Sequence, residues 1–141
     1  MQSRNYIIKA GYKSYNTVVA NLVFPFENYP EKRFDGIIAD VPCSGSGTWA
    51  RSPEWLQKNI MDQVADYYVP LQRSIVSNVI TSLKNNFPLI YITCSVFKEE
   101  NEENVEFFLN QFQLKLEKSA YLSGYASGGD TLFAARFVKL Q

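Results

Sequence analysis

The chain has 141 residues, 46% of them hydrophobic and 15% aromatic, with 14 basic side chains balanced by 14 acidic ones. That apolar content suits one globular domain with a core, and the absence of a basic excess argues against a free-standing nucleic-acid-binding module. There is no histidine, which excludes Ser-His and Cys-His triads and histidine-bearing zinc sites, and the two cysteines are too few for an all-cysteine zinc site.

No apolar run approaches the ~18 residues of a membrane span, and residues 1–5 lack the apolar core of a signal peptide. With only two cysteines, the chain reads as a cytoplasmic protein in a reducing compartment, with no membrane partner. Residues 3–10 read as a helix end, stopped at Gly11. Residues 16–22 are rich in β-branched side chains and predict a strand. Pro25 and Pro30 mark a loop. Residues 35–40 predict a strand that is apolar on both faces, as a buried parallel strand is. Ser52 reads as an N-cap, with Pro53 at N1 and Glu54 in the first turn of a short helix running to about Ile60.

A longer helix is expected over residues 64–84, kinked at Pro70, with Tyr68, Leu71, Ile75, Val76, Val79, Ile80 and Leu83 as its core stripe. A turn at residues 85–88 leads into a second apolar strand ending at Ile92. Residues 99–112 predict a helix whose acidic start suits the positive end of the dipole and reads as solvated. Its buried side is Val105, Phe108, Leu109 and Phe112. Residues 113–121 and 131–140 predict two strands that pair as antiparallel neighbours at the sheet edge.

The two strands at residues 35–40 and 87–92 are joined through a helix, which implies a parallel pair with a right-handed crossover. Each runs into a cysteine at the start of a loop: Cys43 in Asp40-Val41-Pro42-Cys43-Ser44-Gly45-Ser46-Gly47-Thr48, and Cys94 in Thr93-Cys94-Ser95. Both cysteines therefore belong at the carboxyl edge of the sheet, where open α/β folds place ligands. A structural disulfide between them and two buried, inert thiols are the competing readings. Residues 45–50 also match the dinucleotide pattern G-x-G-x-x-A, but Arg51-Ser52-Pro53 separates them from any helix, so their glycines read as turn or close-approach positions.

The two cysteine motifs, followed by Glu99-Glu100-Asn101-Glu102-Glu103-Asn104-Val105, resemble those of the RNA (cytosine-5)-methyltransferases, the family of the bacterial 16S rRNA enzymes and their NOL/NOP/Sun relatives. The resemblance runs from about residue 16 to residue 140. It implies an α/β fold: the C-terminal portion of a Rossmann-like S-adenosylmethionine-dependent methyltransferase domain, lacking the first two strands and ending in an antiparallel strand pair. Residues 1–141 then form one partial catalytic domain. The cofactor it implies is S-adenosylmethionine, and the partner is RNA, either rRNA or tRNA.

The implied chemistry suits the residue types. Carbon 5 of cytosine is a poor nucleophile, and a thiolate that adds to carbon 6 makes it enamine-like. A second thiol assists release, and an acidic group near the ring stabilises the charge that develops on addition. Free cysteine has a pKa of about 8.5, so the nucleophile needs surroundings that favour thiolate. By the resemblance, Cys94 corresponds to the nucleophile and Cys43 to the release cysteine. Asp40 corresponds to the acidic residue between cofactor and base. Asn21 stands where the family often has an aspartate near the adenine, though an ordinary turn role suits it equally. Arg51 is a candidate phosphate contact, for which an ordinary exposed arginine is the stronger reading. Trp49, Tyr67 and Tyr68 are candidate base-stacking groups, for which a core role is the stronger reading.

The family's glycine-rich cofactor loop and the acidic residue after its second strand have no counterpart here. Nor has its N-terminal RNA-binding region, and its Lys-Pro-Gly-Gly turn is replaced by Lys84-Asn85-Asn86-Phe87-Pro88. The strand at 35–40 is expected to carry an exposed apolar edge, which invites pairing. Either the missing N-terminal half of a longer enzyme or a homo-oligomer is expected to cover it. Two other functions remain open: an inactive fragment or split-enzyme subunit serving as an interaction module, and a DNA cytosine-5 methyltransferase. The latter would use the Pro-Cys cysteine as nucleophile.

Overall fold

The computed structural model describes residues 18–25, 33–57, 63–124, 126 and 128–141. The expected helix at residues 3–10, most of the proline loop, and residues 58–60 of the short helix lie outside the described residues. Four strands form one sheet in the order β1-β2-β4-β3, with β1 at Ile37–Asp40, β2 at Pro88–Thr93, β3 at Leu114–Ser123 and β4 at Thr131–Lys139. β1 and β2 run parallel, with Ile38 beside Ile90 and Asp40 beside Ile92. β4 pairs antiparallel with both β2 and β3. The parallel cysteine strands and the closing antiparallel pair are thus as the sequence predicts.

The crossover segment is not one regular helix. A π-helical turn, Val64–Tyr68, leads into α1, Val69–Val79, and a 3₁₀ turn, Ile80–Ser82, ends it. The wide turn has a cause in Pro70. Proline has no N–H to donate, and its ring crowds the carbonyl four residues back. The chain widens ahead of it, so that the Val69 N–H reaches the Val64 carbonyl oxygen. Asn86 turns the chain into β2 with φ of 66°. Asparagine tolerates this left-handed region better than most residues, so the departure from the family's glycine turn is accommodated.

One face of the sheet packs against α1 and against α2, Glu102–Gln111. Leu89 and Tyr91 of β2, Phe133, Ala135 and Phe137 of β4, Ile75 and Val76 of α1, and Val105 and Phe108 of α2 share one buried cluster. Phe108 sits edge-on to Tyr91 at 5.3 Å and to Phe137 at 6.2 Å. Each fully buried ring of this kind contributes roughly 2–3 kcal/mol of apolar burial.

Two expectations are corrected here. β1 is not buried on both faces, because both helices pack on the same side; Ile38 is 70% exposed. The strand expected over residues 16–22 is not formed in its described part. Among the described residues no strand lies beside residues 18–21 to complete a backbone ladder, and Val18 and Val19 are exposed. The chain turns instead at Asn21. Its side-chain oxygen accepts the Val23 N–H at 3.2 Å, and its carbonyl accepts the Phe24 N–H at 3.4 Å. No helix among the described residues is long and apolar enough to cross a membrane.

Candidate active site

β1 and β2 end side by side, and each feeds a cysteine loop. The ladder runs one residue past β1, where the Val41 N–H reaches the Ile92 carbonyl at 3.2 Å. Beyond it, Cys43 Sγ lies 3.1 Å from Cys94 Sγ. That separation is a hydrogen bond between thiols, well beyond the ~2.05 Å of a disulfide, and both cysteines are free and half-buried. The Cys94 N–H also donates to Cys43 Sγ at 3.3 Å.

The contact polarises the pair. The hydrogen bond between the two thiols is the main reason that Cys94 is lowered to about 7, with burial and the charges of Asp40 and Glu100 working against it. The same hydrogen bond, with burial, pushes the Cys43 thiol far up. The two thiols therefore titrate as a pair, with Cys43 holding its proton more tightly and Cys94 ionising near neutral pH. Of the two cysteines, Cys94 therefore carries the thiolate character a nucleophile needs.

The loop after Cys43 turns sharply on Gly45, at φ of 71°, into a 3₁₀ turn, Ser46–Thr48. The Gly47 N–H holds the Cys94 carbonyl at 2.9 Å. Gly47 has no room for a side chain. A Cβ there would overlap the Thr131 carbonyl oxygen and press the Cys94 carbonyl oxygen at 3.0 Å. Gly47→Ala is accordingly expected to destabilise the protein by about 1–3 kcal/mol, read as a lower urea midpoint. An unchanged midpoint would show that this loop yields freely. The dinucleotide pattern over residues 45–50 opens only this short turn, so its glycines serve a tight turn and a close approach.

Behind the cysteines lies a buried polar layer that the sequence reading did not anticipate. Ser44, Ser46 and Ser95 bring their hydroxyls within 3.2 Å of one another. Glu100 is fully buried. It accepts the Ser44 N–H at 2.9 Å, the Gln72 amide at 2.9 Å, and the hydroxyls of Ser44 and Ser95. Asn101 receives the Thr93 hydroxyl at 2.6 Å and donates to the Ser95 carbonyl at 2.9 Å. Asn104 donates to Gln72 at 2.7 Å. The acidic start of α2 is therefore not simply solvated. The available signal was the uncharged pair Asn101 and Asn104 inside the acidic run, three residues apart on one helical face.

Asp40 and Asn21 lie on a neighbouring cleft of about 600 Å³. Residues 37–42 form one of its sides, Asn21, Leu22 and Val23 another, and Tyr67, Leu71, Ile75 and Val79 a third. Pro42, on the wall of this cleft, is followed directly by Cys43 in the chain. Arg51, read as a candidate phosphate contact, is held by both oxygens of Asp130 at 2.7 and 2.6 Å. Trp49 packs edge-on to Phe97 at 5.8 Å and joins a small cluster with Val64 and Val69, which is a core role. Tyr67 is 60% exposed on the cleft. Among the described residues no cluster of side chains is suited to a metal ion.

Residues 4–134 match the family described as 16S rRNA methyltransferase RsmB/F. The ribosomal RNA small subunit methyltransferase B of Cronobacter sakazakii is 34% identical over 126 residues, covering 82% of this chain and 29% of that protein. The Pasteurella multocida protein of the same name is 37% identical over 123 residues, covering 77% and 26% respectively. The chain thus spans less than a third of the length of these relatives. Among solved structures, PH0851 superposes with a TM-score of 0.81 at 27% identity, over 96% of this chain and 33% of its own. NSun6 from Pyrococcus horikoshii, solved with SFG, shares the fold with a TM-score of 0.80 at 22% identity, over 98% of this chain and 38% of its own.

Proposed function

The chain belongs to the 16S rRNA methyltransferase RsmB/F family, and from that premise we propose that it carries the thiol chemistry of methyl transfer to carbon 5 of cytosine in RNA. The observation that carries this reading is the Cys43–Cys94 contact at 3.1 Å, at the ends of two adjacent parallel strands, with Cys94 lowered to about 7. In this reading Cys94 attacks carbon 6 of the cytosine as a thiolate; the Sγ–carbon 6 bond forms as the carbon 5–carbon 6 π bond opens, and its electron pair is delocalised from carbon 5 toward N3. Asp40, at the end of β1, would meet the N3 and exocyclic-amine edge of the base and hold a proton at N3, which offsets the negative charge that develops there. After carbon 5 has been methylated, its proton passes to solvent, the carbon–hydrogen electron pair re-forms the carbon 5–carbon 6 double bond, the Sγ–carbon 6 electron pair returns to Cys94, and Cys43 assists that release. Ribosomal RNA is the substrate class, in keeping with the names of the relatives.

The cleft fits the methyl donor. Its volume of about 600 Å³ falls within the ~300–1,000 Å³ of small-molecule sites, and it runs along β1 as far as its carboxyl end, the edge at which open α/β sheets place ligands. Asp40 and Asn21 are the polar groups that would hold S-adenosylmethionine there, against the apolar walls of Ile37, Leu71 and Ile75. When bound, that group supplies the electrophilic methyl. The SFG in the NSun6 structure is an analogue of it, which supports the same cofactor for this chain.

A second reading, one subunit of a two-chain enzyme, is favoured by β1, which pairs on one side only among the described residues and exposes Ile38. One experiment addresses both. The protein is incubated with methyl-labelled S-adenosylmethionine and small-subunit rRNA, and the RNA is digested to nucleosides. Label in 5-methylcytidine is the expected result. Label in another nucleoside, or in DNA and not RNA, overturns the proposal. Label that requires a second polypeptide supports the two-chain form.

A further inference from the structure

Each reactive cysteine is followed by a serine, and both serines reach the same buried carboxylate. Ser44 meets Glu100 through its N–H at 2.9 Å and through its hydroxyl, and Ser95 through its hydroxyl. We propose that Glu100 is the positioning residue of the site: it clamps the Cys43 loop to the Cys94 loop and so keeps the two sulfurs at hydrogen-bond distance. This rests on the reading of Cys94 and Cys43 as the working pair and adds to it a residue that touches neither substrate nor sulfur.

The acceptor geometry supports a clamp. One carboxylate oxygen takes two N–H groups, from Ser44 and from Gln72 of α1, and the other takes two hydroxyls. Four donors on two oxygens fill the acceptor capacity an ionised carboxylate commonly uses. Gln72 spans the same joint, since its amide also donates to the Pro42 carbonyl at 2.9 Å. The Glu100 carbonyl in turn accepts the Tyr91 hydroxyl at 2.7 Å, which anchors the start of α2 to β2. Four segments therefore meet at one side chain: the loop after β1, α1, the end of β2 and the turn into α2. A buried carboxylate without such partners would be strongly disfavoured. With them, the network has one satisfied arrangement, and small changes in reach break it.

A role through charge alone predicts no shift in variants that keep the carboxylate, whereas a clamp predicts one, which gives a sharp test. The Glu100 charge works against ionisation of Cys94, whereas the Cys43 hydrogen bond favours it. Glu100→Asp keeps the charge and shortens the side chain by one methylene, so it cannot serve both loops at once. Ser95→Ala removes one tether and leaves the charge untouched. The readout is the pH dependence of Cys94 alkylation by iodoacetamide, followed by peptide mass spectrometry, with urea unfolding and Glu103→Gln, an exposed neighbour, as controls.

Wild type titrating near neutral pH tests the cysteine pair itself, independently of Glu100. Given that, Glu100→Asp is expected to raise the midpoint by about one unit, which slows alkylation at pH 7 roughly five-fold. Ser95→Ala shifts it the same way by less. If Glu100→Asp does not unfold cooperatively, Ser95→Ala alone decides. A wild-type midpoint in every folded variant, or a midpoint that falls, overturns the clamp.

Discussion

Replacing Cys94 by alanine is expected to reduce methyl transfer to RNA by roughly 10⁴-fold or more, the scale on which other enzymes lose activity with a covalent nucleophile. The effect is large because the reaction loses its activation step and not merely a contact. Without the Sγ–carbon 6 bond, carbon 5 of the ring stays a poor nucleophile, however well substrate and methyl donor are held. Folding is expected to survive. Cys94 is half-buried at a loop, outside the main apolar cluster, and its backbone contacts to Gly47 do not involve the thiol. Label incorporation by wild type and variant at matched protein concentration measures the effect. A loss below ten-fold would mean that the nucleophile lies elsewhere.

Cys43→Ala is expected to act differently, on two steps. It removes the S–H that holds Cys94 in its thiolate form. The sign follows directly: losing a donor to the charged form raises the Cys94 pKa toward the ~8.5 of free cysteine. At pH 7 the thiolate fraction then falls from about one half to roughly 3%, a drop of about 15-fold in alkylation rate. The second effect is on release. If Cys43 assists release as proposed, the protein–RNA adduct is expected to outlive turnover in this variant and to accumulate as a gel-shifted covalent species. Raising the pH restores the first step and leaves the second impaired, so adduct yield climbs with pH in this variant. The opposite pattern, adduct formation lost with Cys43→Ala and kept with Cys94→Ala, would assign the nucleophile as DNA cytosine-5 methyltransferases do.

Much of the sheet was legible because β1 and β2 are short apolar runs bounded by turn residues. β2 alternates buried and half-buried positions along Pro88–Thr93. β3 and β4 follow each other with no room for a crossover helix, which dictated an antiparallel pair. The cysteine loops were legible from their motifs. What could not be read was long-range. Glu100 sits in a run of charged and amide side chains, and composition makes such a run a solvated helix start. Its burial depends on Ser44, 56 residues earlier in the chain, and on Gln72 on another element. The Asn101 and Asn104 spacing marks a polar buried face, but no local pattern names Ser44 and Gln72 as the partners of Glu100.

The part of the 16–22 segment that is described misled for a related reason. Valine and threonine favour strands only where a neighbour completes the ladder, and among the described residues none lies beside residues 18–21. Their place was taken by the turn at Asn21. The π-helical turn before Pro70 was half legible. Proline marked the position of the irregularity but not its form.

The measurement that tests this account most directly is the pH dependence of Cys94 alkylation in the unmodified protein, resolved from Cys43 by peptide mass spectrometry. It needs neither RNA nor methyl donor. Two thiols titrating as a pair predict that Cys94 is alkylated with a midpoint near 7, while Cys43 stays unreactive until well above that pH. Both cysteines titrating together near 8.5, or Cys43 reacting first, would contradict the division of labour proposed here.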